Sequence, residues 1–335
     1  MSRASPDEET PLNAAPPRMA LPTEIPVIDV AGHDDASAAR LLRDACENSG
    51  FFYISGHGVP PSVVETAFVQ AKRFFDLPLD ERLTVIKDRF HRGYLPLGTT
   101  QRPGQKKDLK DSFDFGVELP LTDPDVICGM PLHGPNQWPD LPGFRGAMET
   151  YAAYVRTAAL KLVRVLALSL DLNEDFFLQH YQKPVFTTRV IHYPVPDQRF
   201  EAEYDIGALA HTDYGHITVL AQDPSGGLEI RLPSGEWVSA PVIDGTFVVN
   251  LGDLMQRWSN DAYRSNYHRV VNRLGRDRLS IPTFVYPDFR TLISCIPTCV
   301  SADRPAKYEP VLAGDYVADM LRATQGFRSP ASADA

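Results

Sequence analysis

The sequence has few cysteines, no long apolar run and no surplus of positive charge, and each shortage excludes a class of protein. Its four cysteines, Cys46, Cys128, Cys295 and Cys299, form no Cys-x-x-Cys pair, so we expect free, buried or half-buried thiols and no disulfide framework. No apolar run approaches the roughly 20 residues that a membrane-spanning helix needs. The 33 basic residues are outnumbered by 43 acidic ones. A nucleic-acid partner is therefore not expected, because no basic excess is available to neutralise phosphates.

The rest of the composition is that of an ordinary globular protein. The 335 residues are 43% hydrophobic and 23% charged, enough to bury a large core in one domain or two. The N-terminal segment is acidic and proline-rich and lacks the apolar stretch of a signal peptide. We therefore expect residues 1–23 to form a disordered tail and the protein to be cytoplasmic, and its oligomeric state stays open.

Periodic patterns divide the ordered chain into a helix-rich and a strand-rich part. Residues 24–172 contain apolar residues at helical spacing, which predict helices at 36–49, 62–75 and 143–170. The second of these helices begins with Ser62 and Glu65, the pattern of a capping box. From 173 to 310, short β-rich runs alternate with turn residues, and they predict strands at 187–193, 217–222, 228–232, 247–251, 268–273 and 281–286. This cadence indicates a sandwich or jelly roll. A further helix and tail are expected at 311–335.

One segment, residues 89–140, shows neither pattern clearly. It is rich in proline, glycine and charge. It could form a mobile lid over a site or a solvated surface loop.

His211-Thr212-Asp213 and the distant His268 are the strongest candidates for chemistry. Alternate side chains of a strand share a face, so His211 and Asp213 point the same way. Two imidazoles and one carboxylate are the ligand set of a facial triad on non-haem Fe(II), which leaves coordination positions open. Ten residues after His268, Arg278 offers a cationic fork and Ser280 a hydroxyl, a pair suited to a ligand carboxylate.

These motifs lie among further segments that resemble the isopenicillin N synthase-like Fe(II)/2-oxoglutarate-dependent oxygenases. The segments are residues 25–29, 50–59, 189–194, 211–213, 250–253, 257–260, 263–265, 268–270 and 278–280. One position departs from the family pattern, because Ile191 stands where many members have Asn. A polar contact to the cosubstrate is therefore in doubt at that position, whereas the Arg278-x-Ser280 pair is intact.

The resemblance implies a mixed α/β, β-rich fold with a double-stranded β-helix (jelly-roll) core flanked by helices. An N-terminal domain would span residues 24–172 and the catalytic jelly roll residues 173–310. By the same resemblance, His211, Asp213 and His268 hold Fe(II), while Arg278 and Ser280, often helped by Tyr193, bind the distal carboxylate of 2-oxoglutarate. With O2, such an enzyme oxidises an unactivated C–H bond of a small molecule, most often by hydroxylation, and releases succinate and CO2. An amino-acid-derived or natural-product substrate is expected, with a role in secondary metabolism such as antibiotic biosynthesis.

Candidates for the substrate pocket are Arg92, Tyr94 and Phe284. The first two lie in the irregular segment and the third follows the Arg278 motif. Ordinary packing or a surface ion pair would explain them equally well. His57, His192 and His216 also lie near motifs, and we interpret them as hydrogen-bonded structural histidines.

Three other functions remain compatible with these residues. An Fe(II) oxidase of the same fold could act without 2-oxoglutarate and use Arg278 and Ser280 for a substrate carboxylate. A β-roll that binds or senses metal without turnover is a second alternative. A zinc hydrolase is a weaker one, because no general base is evident beside the triad.

Overall fold

The computed structural model describes residues 16–32, 35–100, 107–195, 207–273 and 275–325. Its helices are α1 Asp35–Asn48, α2 Pro61–Phe75, α3 Leu79–Leu83, α4 Pro124–Ile127, α5 Phe144–Ser169, α6 Asp253–Trp258 and α7 Ala313–Gln325. The first seven strands are β1 Val27–Asp29, β2 Phe51–Ser55, β3 Gly93–Leu95, β4 Asp111–Gly116, β5 Val185–Tyr193, β6 Ala208–His211 and β7 Ile217–Gln222. The other seven are β8 Leu228–Arg231, β9 Trp237–Ser239, β10 Phe247–Leu251, β11 His268–Val270, β12 Arg278–Tyr286, β13 Leu292–Ile293 and β14 Val311–Leu312.

Twelve of the strands form a large and a small sheet that pack face to face, and β13 pairs with β14 in a separate two-stranded sheet. The major sheet has the order β1-β2-β10-β7-β12-β5-β4-β3, and the minor sheet has the order β6-β11-β8-β9. All of these pairs are antiparallel except β1 with β2. The major sheet takes strands from both sides of residue 172, so the two domains predicted from the sequence share one sheet.

Two apolar cores flank the major sheet. One lies between the sheet and the helices, where α5 contributes Tyr151, Val155 and Leu162. The Tyr151 hydroxyl also donates a hydrogen bond to the Ile281 carbonyl of β12, at 3.1 Å. The other core lies between the two sheets. The long amphipathic helix predicted from the sequence is thus the support for the sheet that carries the site.

Several element boundaries differ from the sequence predictions for local reasons. The capping box is wrong, because α2 begins at Pro61 after Pro60 and has no side-chain cap. A proline at the first helical position already has the helical φ angle, so no such cap is needed. The cysteines are free as predicted, although Cys128 is exposed.

Both segments that we expected to be irregular contain sheet contacts. Residues 16–20, assigned to the tail, run beside β9, where the Ala20 N–H donates to the Ser239 carbonyl at 2.9 Å. Residues 89–140 supply β3 and β4 to the edge of the major sheet. The expectations for residues 1–15, 101–106 and 326–335 lie outside the described residues. Among the helices of the described part, none is both long and apolar enough to cross a membrane.

Candidate active site

His211 and His268 lie opposite each other on neighbouring strands of the minor sheet. His211 ends β6, His268 begins β11, and the two residues are paired in register. Asp213 follows two residues after the end of β6. Its Oδ1 lies 4.0 Å from Nε2 of His211 and 3.8 Å from Nε2 of His268. One ligand atom from each residue lies within 4.8 Å of the others, so the three could share one metal ion.

Hydrogen bonds behind these side chains orient them toward a common point. Nδ1 of His211 lies 2.6 Å from the Leu209 carbonyl oxygen. That contact requires a proton on Nδ1, so Nε2 is left with its lone pair. Oδ2 of Asp213 accepts hydrogen bonds from Thr218 at 2.6 Å and from Asn250 at 2.8 Å. Oδ1 can thereby bind a cation, as expected when polar partners orient the ligands of a metal.

An inner cavity extends from this triad between the sheets to Arg278. Arg278 is 1% exposed; its Nε donates to the Gly226 carbonyl and its Nη2 to Gln222. Its guanidinium carbon lies 4.8 Å from the ring centre of Tyr193. Nη1 is buried without a hydrogen-bond partner among the described residues. A buried cationic nitrogen without a hydrogen-bond partner destabilises the folded protein unless an anion binds it.

The remaining walls of the inner cavity fit an elongated acid. Ser280 lines it close to Arg278 and is 1% exposed. Ile191 also lines it, and Ser280 and Ile191 are register partners on β12 and β5. The wall is therefore apolar at the position where many family members offer an amide.

An outer cavity opens beside the triad, and the space between its lining residues, counted together with the adjoining open solvent, is about 870 Å³. The residues that line both cavities are Lys110, Arg189, His211, Asp213 and Phe284. The two cavities therefore meet at the triad. A cosubstrate in one and a substrate in the other would both reach a metal held there.

The outer cavity has an ion-paired wall. Asp114 is buried between Arg189, whose Nε and Nη2 lie 2.7 and 2.8 Å from its carboxylate oxygens, and Lys87 at 2.8 Å. Burial alone would raise the pKa of Asp114, but Arg189 and Lys87 outweigh it and hold the pKa below its usual range. Nearby, burial and then the charge of Lys87 lower the pKa of His91 to about 3, so this imidazole is neutral.

Of the three residues predicted for the substrate pocket, Phe284 lines both of these cavities, whereas Arg92 and Tyr94 line neither of the two. Arg92 is buried and donates to the carbonyls of Leu132 and Phe90, while the Tyr94 hydroxyl bonds to Asp111 and Arg82. On β3 it is Leu95, the next residue, that lines the outer cavity, because successive side chains alternate between faces. Arg92 and Tyr94 thus belong to the packing beside the cavity.

Sequence reasoning missed Lys110, Asp114 and Arg189. A signal for Arg189 was present, because it precedes Tyr193 by four residues on one strand and so shares its face. The three histidines interpreted as structural have hydrogen-bond partners. Nδ1 of His192 lies 2.8 Å from Asp111, Nδ1 of His216 lies 2.7 Å from the Tyr181 hydroxyl, and Nδ1 of His57 accepts from the Val59 N–H.

A jelly-roll sandwich with two histidines and one carboxylate between two cavities defines a non-haem iron oxygenase. Comparison with known families agrees. Residues 25–141 match the model described as "non-haem dioxygenase in morphine synthesis N-terminal", and residues 173–287 match the "2OG-Fe(II) oxygenase superfamily". The chain belongs to the Fe(II)/2-oxoglutarate-dependent oxygenases of the isopenicillin N synthase-like family, and it is a non-haem dioxygenase that uses Fe(II), 2-oxoglutarate and O2. The predicted family, fold class and cofactors are thereby confirmed.

Individual relatives cover almost the whole chain. The 2-oxoglutarate-Fe(II) type oxidoreductase hxnY of Emericella nidulans is 38% identical, over 91% of this chain and 91% of the relative. The kihadalactone A synthase LFS of Citrus sinensis is 37% identical, over 90% and 93%. Among solved structures, a full-length Neurospora crassa protein in complex with alpha-KG and thymine has a TM-score of 0.80 and 29% identity, with 89% of this chain and 96% of that chain covered.

Proposed function

We propose that the protein oxidises an unactivated C–H bond of a small organic substrate, most often by hydroxylation, and converts 2-oxoglutarate to succinate and CO2. The observation that carries the proposal is the position of the triad at the junction of two cavities. Such a position lets cosubstrate and substrate approach one metal from different sides. A hydroxylation needs this proximity of the reacting groups.

The triad would hold the iron through Nε2 of His211, Nε2 of His268 and Oδ1 of Asp213. The hydrogen bonds of Nδ1 of His211 and of Oδ2 of Asp213 would orient the other polar atom of each side chain toward such a metal. When bound, Fe(II) supplies the activation of O2 that side chains lack. The residues of the chain fix its ligands in place and keep the site enclosed.

The inner cavity would seat 2-oxoglutarate with its distal carboxylate at Arg278. Nη1 of Arg278 and the hydroxyl of Ser280 are the donors available to that carboxylate, and Tyr193 packs against the guanidinium. Charge-assisted bonds of this kind are the stronger hydrogen bonds in proteins. The cosubstrate would thereby be aligned along the cavity with its oxo-acid end toward the triad.

The outer cavity would receive the substrate, with Phe284 in its wall. Relatives have names such as kihadalactone A synthase, from Citrus sinensis, and homoarginine-6-hydroxylase, from rice. These names support a small organic substrate and a place in secondary metabolism for this protein. Antibiotic biosynthesis and a cytoplasmic location stay predictions.

Substrate-dependent succinate formation tests the proposed reaction. The full chain, loaded with Fe(II) and 2-oxoglutarate, is screened with small molecules, and succinate and O2 consumption are both measured. We expect one succinate per O2 with a true substrate, and none above background for Asp213→Ala. Asp76→Asn, at the exposed C-terminal end of α2, is the matched control and should behave as wild type.

Two results would contradict the proposal. Consumption of O2 and substrate without succinate would indicate an oxidase that works without 2-oxoglutarate. Iron binding without O2 consumption across the whole panel would indicate a metal-binding protein that lacks turnover.

A further inference from the structure

We propose that the outer cavity selects substrates that carry a carboxylate, which Arg189 and Lys110 hold beside the triad. This inference rests on the proposed function, since it assigns the substrate class of the same site. It concerns an anion site separate from that at Arg278, because Arg278 lines the inner cavity while Arg189 and Lys110 line both.

The location of Arg189 makes it suitable for contact with a substrate. It lies on the inner face of β5, and its register partner on β4 is Asp114. Asp114 is 1% exposed and engages Nε and Nη2 of the guanidinium. Nη1 makes no hydrogen bond to a residue in the described ranges. A buried carboxylate thus fixes the plane of the guanidinium and leaves one edge for another acceptor.

Lys110 adds a second cation where the two cavities meet. Its ammonium nitrogen lies 2.7 Å from Oδ2 of Asp108, and its side chain is 13% exposed. Asp108 in turn accepts a hydrogen bond from the Leu209 N–H, on the strand that ends at His211. The ammonium is therefore tethered within reach of the triad.

The ion pairs of this wall do not balance in charge. Arg189, Lys87 and Lys110 carry three positive charges, and Asp114 and Asp108, to which they are bound, carry two negative ones. These five side chains therefore have an excess of one positive charge. Asp213 lines the same cavity but would be bound to the metal, so a substrate carboxylate would supply the anion that this excess of positive charge favours.

A further polar group in the same wall also lacks a partner. Thr187 precedes Arg189 by two residues on β5 and so shares its face. Its hydroxyl is buried and makes no hydrogen bond among the described residues, and Thr187 lines the outer cavity. Buried hydroxyls in native proteins nearly always have a hydrogen-bond partner, so this one calls for an acceptor. A carboxylate could accept hydrogen bonds from both Arg189 and Thr187.

The rest of the wall indicates what the carboxylate is attached to. The guanidinium of Arg189 lies 5.5 Å from the ring centre of Phe284. Other apolar or aromatic residues of the wall are Leu95, Leu132, Tyr214, Tyr286 and Leu321. This combination fits a small acid with an apolar or aromatic body.

Matched carboxylates and amides test the inference directly. The full chain, loaded with Fe(II) and 2-oxoglutarate without O2, is titrated with phenylacetate and phenylacetamide, indole-3-acetate and indole-3-acetamide, and octanoate and octanamide. Calorimetry and thermal shift report binding, because a ligand of the native state raises its apparent stability. We expect the carboxylates that bind to do so at least about tenfold more tightly than their amides, and less tightly as salt increases.

Two variants locate the effect in the proposed residues. Lys110→Met and Arg189→Lys should each weaken carboxylate binding about tenfold and leave amide binding unchanged, as expected for the loss of a charge-assisted hydrogen bond. Arg189→Lys keeps a cation beside Asp114, so the buried carboxylate stays paired and the variant is expected to fold. Lys72→Met, which removes an exposed lysine of α2, is the control and should have no effect.

Three outcomes would overturn the inference. The first is that the amides bind as tightly as their acids. The second is that no carboxylate of the panel binds. The third is that the two variants weaken the binding of 2-oxoglutarate and leave the binding of the carboxylates unchanged. Failure of the proposed function is separate, since it would be seen in the turnover assay, as O2 consumption without succinate or as no O2 consumption with any substrate.

Discussion

At the scale of single residues, Asp213 serves two purposes with its two oxygens. Oδ2 accepts hydrogen bonds from Thr218 and Asn250, which are register partners on β7 and β10. Oδ1 faces the two histidines. The major sheet thereby holds a residue that belongs to a loop of the minor sheet. The orientation of the carboxylate depends on this contact between sheets.

Removal of the Thr218 hydroxyl should weaken metal binding. Thr218→Val is nearly isosteric and deletes one of the two donors to Asp213, so we expect the Fe(II) dissociation constant to rise about 10- to 100-fold. Anaerobic calorimetry measures it. Thr283→Val is the control, because it deletes a buried hydroxyl contact to Thr188 on the opposite face of the same sheet. Equal dissociation constants in wild type and Thr218→Val would contradict the prediction.

Arg278 should determine the affinity for 2-oxoglutarate. Arg278→Gln keeps a polar side chain but removes the cation, and hydrogen bonds to charged groups contribute about 1.5–3 kcal/mol. We therefore expect the KM for 2-oxoglutarate to rise at least about tenfold. Arg276→Gln, at an exposed position two residues earlier, is the control. An unchanged KM would place the cosubstrate elsewhere.

The sequence predicted the residues with chemistry far better than the residues that orient them. The His-x-Asp spacing and the Arg278-x-Ser280 pair pointed to residues that the fold brings to one site, although Asp213 lies in the loop after β6 and not, as the spacing had predicted, on the same strand as His211. Thr218 and Asn250 could not be assigned as partners of Asp213 from spacing, because their proximity arises from sheet register.

At the scale of elements, β4 shows why the segment 89–140 was hard to interpret. Its sequence, Asp-Ser-Phe-Asp-Phe-Gly, contains two carboxylates, and five of its six residues are buried. Strand prediction expects polar side chains to face solvent. Here Ser112 and Asp114 face a cavity inside the protein. Their polar side chains made the sequence pattern of this strand resemble that of a loop.

The C-terminal helix α7 is a wall of the outer cavity. Its residue Leu321 lines that cavity. The Tyr316 hydroxyl donates to Oδ2 of Asp253 at 3.0 Å, and the same oxygen accepts from Thr212, between two members of the triad. Two hydrogen bonds through Asp253 thus connect the helix to the loop that carries Asp213.

Loss of the hydrogen bond from Tyr316 to Asp253 should loosen α7. Tyr316→Phe removes a contact of about 1 kcal/mol, so we expect the amide hydrogens of α7 to exchange about fivefold faster. Hydrogen exchange followed by mass spectrometry measures this. Tyr308→Phe, which removes a hydroxyl bonded to Asp261, should leave the exchange of α7 unchanged. Equal exchange in Tyr316→Phe and wild type would show that packing alone holds the helix.

At the scale of the whole molecule, the two cores were predicted to different extents. The helix-to-sheet core followed from the periodicity of α1, α2 and α5. The core between the sheets did not follow from periodicity, because which strands pair across the chain is a long-range property. The family resemblance supplied that pairing, and the structure agrees with it.

A buried histidine in the first core should make stability depend on pH. Burial and then His180 lower the pKa of His216 to about 3 in the folded protein, whereas an unfolded histidine titrates near about 6.5. As pH falls, the unfolded state binds the proton first. The contribution of His216 to the free energy of unfolding is therefore full above pH about 6.5 and is lost as pH falls toward 3. The loss is at most about 1.4 kcal/mol per pH unit for one proton.

Urea unfolding between pH 7.5 and 5 measures this dependence. His216→Asn should flatten the slope of unfolding free energy against pH. Tyr181→Phe, which removes the hydroxyl partner of His216 but keeps the imidazole buried, should keep the slope. Equal slopes in wild type and His216→Asn would assign the pH dependence to other groups.

The central claim is that one metal at His211, Asp213 and His268 is shared with 2-oxoglutarate bound toward Arg278. Addition of 2-oxoglutarate to the anaerobic Fe(II) protein tests it most directly, because a 2-oxo acid that chelates Fe(II) produces a visible charge-transfer absorption. We predict this band in wild type at one 2-oxoglutarate per iron, its loss in Asp213→Ala, and its recovery in Arg278→Gln only at much higher 2-oxoglutarate. Tight binding of both iron and 2-oxoglutarate to wild type without the band would contradict the claim.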